Sequence, residues 1–234
     1  MIDPDSSLGE LAAEAPLRCA LFERLRFDYC CGGGQTLSQA CEQRGLDVET
    51  VRRMLEALEE TRHDQHAADA RDWRQSSIGE LCDHIVTSHH DRMRAELPRI
   101  EELVCTVARV HGERRSELHF LKRLFVTIRK DLESHMDSEE GVLFPACRAA
   151  EASGTEVDRD LLAAHEREHA STGDAIAALS DLTNGYDATD ALCRTHGSLL
   201  EALRQFELDL HRHIHEENNI LFQRARELAG ASVR

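Results

Sequence analysis

Two stretches of this chain carry the same residues 78 positions apart. Asp131, Leu132, His135, Glu139, Leu143 and Phe144 recur as Asp209, Leu210, His213, Glu217, Leu221 and Phe222, and Val142 pairs with Ile220. In each copy a histidine precedes a glutamate by four residues. On a helix, positions i and i+4 share a face, so an imidazole and a carboxylate can reach one point. That donor pair suits a metal ion, and two such pairs from two helices suit a pair of ions between them. The adjoining Leu and Phe recur as well, which marks the repeated face as buried rather than as an exposed ion pair.

Two more helices would have to complete the site. The first candidate carries His84, His89 and His90, and the second carries His165, Glu166, Glu168 and His169. His90 and His169 lie 79 residues apart, close to the repeat of 78. His89 departs from that repeat by two and is the rival to His90. The expected set is His90, His135, Glu139, His169, His213 and Glu217, with His84 and His165 behind the ligands, in a channel or on the surface. Four imidazoles and two carboxylates can hold two ions, with each glutamate able to bridge. The nitrogen and oxygen donors, without thiolates, favour iron and then manganese over a closed zinc site. Ferritin-like di-iron proteins use Glu-x-x-His and further glutamates; here histidine comes first and outnumbers glutamate. Shared ligands leave coordination positions that could take oxygen, nitric oxide or peroxide. His211 and His215 flank a ligand position and could orient it. His111, His119 and His196 read as helix-end, surface or supporting groups.

The elements that must position these residues are helices. The chain has 234 residues, 4% aromatic residues and four prolines, with few β-branched runs, which favours an all-α protein. Four long apolar patterns are expected: about 77–110, with Pro98 inside; 116–150, crossing Pro145; 156–182; and 189–229. Joined by short loops, they give an up-down four-helix bundle. The 78-residue repeat is then a duplicated helical hairpin. The bundle is expected over 78–234.

Ahead of it, residues 1–62 form a small helical domain. It has short helices around Leu8–Ala15 and Leu17–Leu25, a third capped by Thr36 or Ser38, and a fourth from Asp47 with Val51, Met54, Leu55 and Leu58 as its stripe. Between the second and third stands Phe27-Asp28-Tyr29-Cys30-Cys31-Gly32-Gly33-Gly34, whose glycines end any helix. A unit of this size buries little surface alone and should dock on a neighbour or dimerise. Residues 63–77 lack apolar periodicity and read as a linker. Solvated His63 and His66 lie within it, and Trp73 anchors its end.

Net charge is −16, which argues against nucleic acid or an anionic membrane as partner. No stretch is long and apolar enough for a membrane span, and no leader is evident, so a cytoplasmic protein with reduced thiols is expected. The eight cysteines form no C-x-x-C pair. Cys82, Cys105, Cys147 and Cys193 read as small packing residues. Adjacent Cys30 and Cys31 are poorly placed to close a disulfide on each other. They are either two thiols in a tight turn or candidate redox or iron-transfer groups.

The paired His-x3-Glu-x3-Leu-Phe segments resemble hemerythrin-like, His-His-Glu cation-binding bundles. The combination with Asp28-Tyr29-Cys30-Cys31-Gly32-Gly33, Leu8-Gly9-Glu10-Leu11-Ala12, His90-Asp91-Arg92 and Glu217-Asn218-Asn219 is similar to the di-iron proteins for repair of iron centres. The likeness covers nearly the whole length. It implies two iron ions held by the six residues above with both glutamates bridging, a cytoplasmic role in nitrosative or oxidative stress, and often a homodimer. It implies iron–sulfur proteins damaged by nitric oxide or peroxide as partners, repaired by supplied iron. The alternative is a di-iron protein that binds nitric oxide or oxygen as buffer, sensor or nitric oxide reductase. Two residues depart from the family pattern: His89 stands where an aromatic residue is expected, and Gln223 replaces a proline.

Overall fold

Local capping sets where several helices begin. Ser7, Thr36 and Ser77 each cap a helix and receive the side chain of a residue three positions on, Glu10, Gln39 and Glu80. These reciprocal bonds satisfy the free amides of a first turn. The computed structural model describes residues 2–62 and 72–231 and contains no strand among them.

The amino-terminal unit comprises α1 (Leu8–Glu14), α2 (Cys19–Leu25), α3 (Leu37–Arg44) and α4 (Val48–Arg62). Its core is Leu8, Leu11, Phe22, Phe27, Tyr29, Leu37, Val51 and Leu55. Met54, expected in the α4 stripe, is 43% exposed. Val51, Leu55 and Leu58 lie on one line of the helix, and Met54 falls to its side. Residues 63–71 of the expected linker, with His63 and His66, lie outside the described residues. At its end Asp72 caps a short 3-10 turn, Trp73–Gln75, and Trp73 stacks on His84 at 3.9 Å.

The bundle follows as α5 (Ile78–Ile85), α6 (Asp91–His111), α7 (Glu117–Ser138), α8 (Phe144–Ser153), α9 (Arg159–Leu182), α10 (Arg194–Glu216) and α11 (Phe222–Ala231). These make four long rods. Three are composite: a five-residue π-helical turn joins α5 to α6 (Val86–His90), α7 to α8 (Glu139–Leu143) and α10 to α11 (Glu217–Leu221). The chain therefore crosses Pro145 without a break, because Pro145 sits in the first turn of α8, where its missing amide is not needed. The fourth rod begins at Arg194, not near residue 189. Asp187 closes a separate 3-10 turn over Ala188–Asp190, and Cys193 caps α10.

Two apolar clusters fill the bundle. One holds Leu97, Val104, Phe125, Leu132, Leu203 and Ile214 from α6, α7 and α10, joined by Ile176 and Leu179 from α9. The other holds Leu81, Ile85, Leu143, Phe144, Cys147, Leu221 and Phe222 from α5, α8, α11 and the π turns. Cys82 and Cys147 are packed cysteines as expected, but Cys105 is only partly buried and Cys193 is exposed at its cap.

The amino-terminal unit docks on the last π turn. Gly9 and Gly33 approach Asn219 so closely that a Cβ on either would strike its side chain. Asn219 donates to the carbonyls of Tyr29 and Cys30 at 3.2 and 3.1 Å. His211 Nδ1 meets Glu23 at 3.1 Å, and buried His215 packs its ring against Tyr29 at 5.4 Å. These two histidines face the amino-terminal unit instead of orienting a neighbouring ligand position.

Candidate metal centre

Between the two apolar clusters, at the level of the π turns, six side chains meet. His90 closes the first π turn, and Glu139 and Glu217 open the other two. His135 and His213 stand one α-turn before their glutamates, and α9 supplies His169. All six are buried, with Glu139 and Glu217 wholly so.

The donor atoms fall into two groups that share both glutamates: His90, His213, Glu139 and Glu217, and His135, His169, Glu139 and Glu217. In the first, His213 Nε2 lies 2.9 Å from Glu217 Oε1 and His90 Nε2 lies 3.4 Å from Glu139 Oε2. In the second, His135 Nε2 lies 3.1 Å from Glu139 Oε1 and His169 Nε2 lies 3.1 Å from Glu217 Oε2. The imidazole nitrogens themselves approach to 3.1 Å (His90, His213) and 2.9 Å (His135, His169). Despite these short distances, none of the four carboxylate oxygens receives an aligned hydrogen bond. Wholly buried carboxylates without donors are costly. Four nitrogens and four oxygens that face common points instead of each other are the arrangement that divalent ions satisfy.

The outer edges of the imidazoles fix their tautomers. His90 Nδ1 lies 2.8 Å from Glu140 Oε1, His135 Nδ1 lies 2.6 Å from Glu168 Oε2, and His169 Nδ1 lies 2.7 Å from Asn218 Oδ1. Each ring donates Nδ1–H outward and so aims its Nε2 lone pair inward, the state a metal needs. Arg94 holds Glu140 at 2.7 Å. The repeat runs through this shell too: Glu140 and Asn218 are 78 residues apart and serve His90 and His169 alike. Phe144 stacks on His90 and Phe222 on His169, both at 5.7 Å. The symmetry breaks at one place. Glu168 supports His135, but its counterpart in the first hairpin is His89, which stacks on His213 at 5.3 Å and leaves His213 Nδ1 without a partner.

Without an ion the pocket holds protons. Burial presses the His90 imidazole down, but its contacts to Glu139 and Glu217 outweigh that and raise it to about 10. His169 and His135 are raised for the same reason. Burial pushes the Glu139 and Glu217 carboxyls up, with repulsion from Glu217 adding to it at Glu139, yet the surrounding imidazoles hold both well below the carboxylate range. Burial lowers His213. Ions entering this pocket would have to displace protons from the histidines.

Of the residues singled out from sequence, the six face one another and His89 lies outside both groups, bonded to Glu216 at 3.1 Å. His165 is buried beside His135, its Nδ1 donating to Leu161 O. Sequence reasoning missed Glu140, Glu168 and Asn218. The available signal was adjacency, since each is a chain neighbour of a ligand position.

Cys30 and Cys31 are free thiols 4.0 Å apart in the turn after α2. Cys31 Sγ lies 3.6 Å from the carbonyl of His169, so the turn sits against the helix that supplies that imidazole. A hydrogen bond from Cys30 lowers the Cys31 thiol, helped by His169 and His211 against burial and Asp28, while the Cys30 thiol is raised. Cys31 is the exposed member. It lines a cavity of about 680 Å³ between the two parts of the chain.

Two family models match this chain: the Hemerythrin HHE cation binding domain over residues 81–225, and the Domain of Unknown function (DUF542) over residues 4–59. Among curated proteins, it is similar to the "Iron-sulfur cluster repair protein YtfE" of Pectobacterium atrosepticum, 35% identical over 221 residues, covering 94% of this chain and 96% of that protein. The protein of that name from Dickeya chrysanthemi is 37% identical over the same shares. That from Escherichia coli O8 is 35% identical over 97% and 98%.

Proposed function

The chain belongs to the hemerythrin-type iron–sulfur cluster repair family, and from that membership we propose that it holds two iron ions and repairs damaged iron–sulfur clusters by supplying iron. The observation that carries the metal reading is the set of four buried, donorless carboxylate oxygens facing four inward imidazole nitrogens. His90, His213, His135 and His169 would each bind one ion, and Glu139 and Glu217 would bridge. Bound iron would supply one-electron chemistry and exchangeable coordination positions.

The protein's own residues do the rest. Glu140, Glu168 and Asn218 orient three imidazoles, and the two apolar clusters exclude bulk water. Cys31, with its lowered thiol and its contact to the His169 carbonyl, is the group we assign to receive iron leaving the pocket, with Cys30 beside it. The amino-terminal unit is, in this reading, a docking domain of its own. Family resemblance supports the further parts of the proposal: a cytoplasmic homodimer, called on in nitrosative or oxidative stress.

The second reading, binding or reduction of nitric oxide, draws on the same pocket, since each ion would find four protein ligands among the described residues and would have positions left for a diatomic. One experiment separates them. Protein purified and then washed free of loosely held, exchangeable metal should retain about two irons per chain, and Glu139→Ala/Glu217→Ala treated in the same way should retain none. Loaded protein should rebuild an apo cluster protein faster than free iron does, and Cys30→Ser/Cys31→Ser should lose that advantage while keeping its iron. Transfer no faster than from free iron rejects the donor reading. A nitrosyl spectrum unchanged by the cysteine substitutions would then favour the second.

A further inference from the structure

His89 takes the place that Glu168 fills in the other hairpin, yet it does not support His213. Its Nε2 points away, to Glu216 Oε2 at 3.1 Å. His84 Nε2 reaches the same oxygen, also at 3.1 Å. These three residues are a second tight group of metal-type donors outside the central pocket, half-buried where the central six are buried.

The local backbone explains how they meet. His84 and His89 are five residues apart, which on an α-helix separates side chains by about 140°. The π turn Val86–His90 between them takes up that difference and brings both rings to Glu216. Glu216 is the last residue of α10, just before the π turn that begins with Glu217. So the same two rods give His90 and Glu217 to the inner pocket and His89 and Glu216 to the outer one.

The geometry is that of a chelating face. Two donors about 2.1 Å from one ion and at a right angle stand about 3 Å apart, which is the spacing here between each imidazole nitrogen and Glu216, and all three donors lie within 4.8 Å of one another. Ser88 Oγ, 3.0 Å from His84 Nδ1, can accept a hydrogen bond from Nδ1–H and so favour the tautomer whose lone pair is on Nε2. Trp73 lies flat on His84 at 3.9 Å and His89 lies flat on His213 at 5.3 Å, so both rings are braced. Two imidazoles and one carboxylate with the remaining positions open form the facial triad that binds ferrous iron. Side-chain exposures of 22%, 11% and 19% for His84, His89 and Glu216 leave the group within reach of water.

We propose that His84, His89 and Glu216 form a third metal site, holding one exchangeable ferrous ion against the inner pair. It rests on the reading of the inner pocket as a two-iron centre, and it deepens that reading by giving iron a holding position in contact with His213. With three protein ligands against four, and with solvent access, the outer ion is the more weakly held and the first to exchange.

The test is anaerobic equilibrium dialysis of the metal-free full chain against ferrous iron, counting ions per chain. Wild type should saturate near three. His89→Phe, which keeps the ring over His213, and Glu216→Gln should each saturate near two, the outer site having weakened by more than about tenfold. Glu139→Ala/Glu217→Ala should keep about one. The proposal is overturned if wild type and His89→Phe bind equal numbers of ions and Glu216→Gln agrees. If instead the Glu139→Ala/Glu217→Ala protein binds as many ions as wild type, the inner reading fails, and the difference of one ion between wild type and His89→Phe still decides the outer site.

Discussion

At the scale of single residues, the inward direction of each imidazole depends on what its far nitrogen meets. Glu168 is 55% exposed, yet it lies 2.6 Å from His135 Nδ1. Glu168→Ala would free that ring to rotate and to take the other tautomer, and should weaken metal binding about 10- to 100-fold without unfolding the chain; isothermal titration with ferrous iron reads this directly. The six central positions were legible in the sequence because a His and a Glu four apart recur, and because His90 and His169 keep nearly the same offset. Their supporters were not. Whether a ligand's chain neighbour faces the pocket or the solvent depends on the twist of the turn carrying it, and although Glu140 and Asn218 keep the offset of 78, their residue types differ, so the repeat does not single them out. His89 shows the same limit. Reading it as a rival ligand was reasonable from its neighbour, but the π turn aims it outward to Glu216.

At the scale of elements, the start of α3 was legible, since Thr36 was one of two candidate caps, while the matching boxes at Ser7 and Ser77 emerge only from the structure. The π turns were invisible. They use ordinary helical dihedrals and residue types, and differ only in which carbonyl each amide finds. Gly141 lies within one of them, exposed, with open space where a Cβ would stand. Gly141→Ala should therefore stabilise the protein by about 0.5–1 kcal/mol, read as a raised midpoint in urea with an unchanged slope. Gly33→Ala should do the reverse. Its Cβ would collide with Asn219 and the Tyr29 carbonyl, prising the amino-terminal unit from the last π turn. Limited proteolysis should then cut between the units faster than in wild type. The late start of the fourth rod has a comparable cause: Asp187 closes its own short turn, a local competition that apolar periodicity does not record.

At the scale of the whole molecule, the protons stored in the metal-free pocket make stability depend on pH. His90 is raised from 6.5 to about 10 by two carboxylates that outweigh its burial. Its contribution is complete below 6.5 and is lost as pH climbs toward about 10. Glu139 and Glu217 act oppositely: depressed in the folded state, they contribute above the ordinary carboxylate value and lose that contribution in acid. The metal-free protein should thus melt several degrees lower at pH 9.5 than at pH 7, a trend that metal loading removes because the imidazoles are already neutral; calorimetry with and without a chelator checks both arms. The all-α class follows from composition and the duplicated hairpin. How the parts join does not, because the contact depends on two glycines yielding space to one asparagine. Its neighbour Asn218 accepts from His169 and donates to the carbonyl of Cys30 at 3.3 Å. One amide group therefore touches both the metal pocket and the thiol turn. Free-energy coupling between two sites is reciprocal. Any reversible adduct on Cys31 that loosened bound ions by some factor would itself be disfavoured by those ions by that same factor, and through such a coupling the state of the thiols would report how full the pocket is.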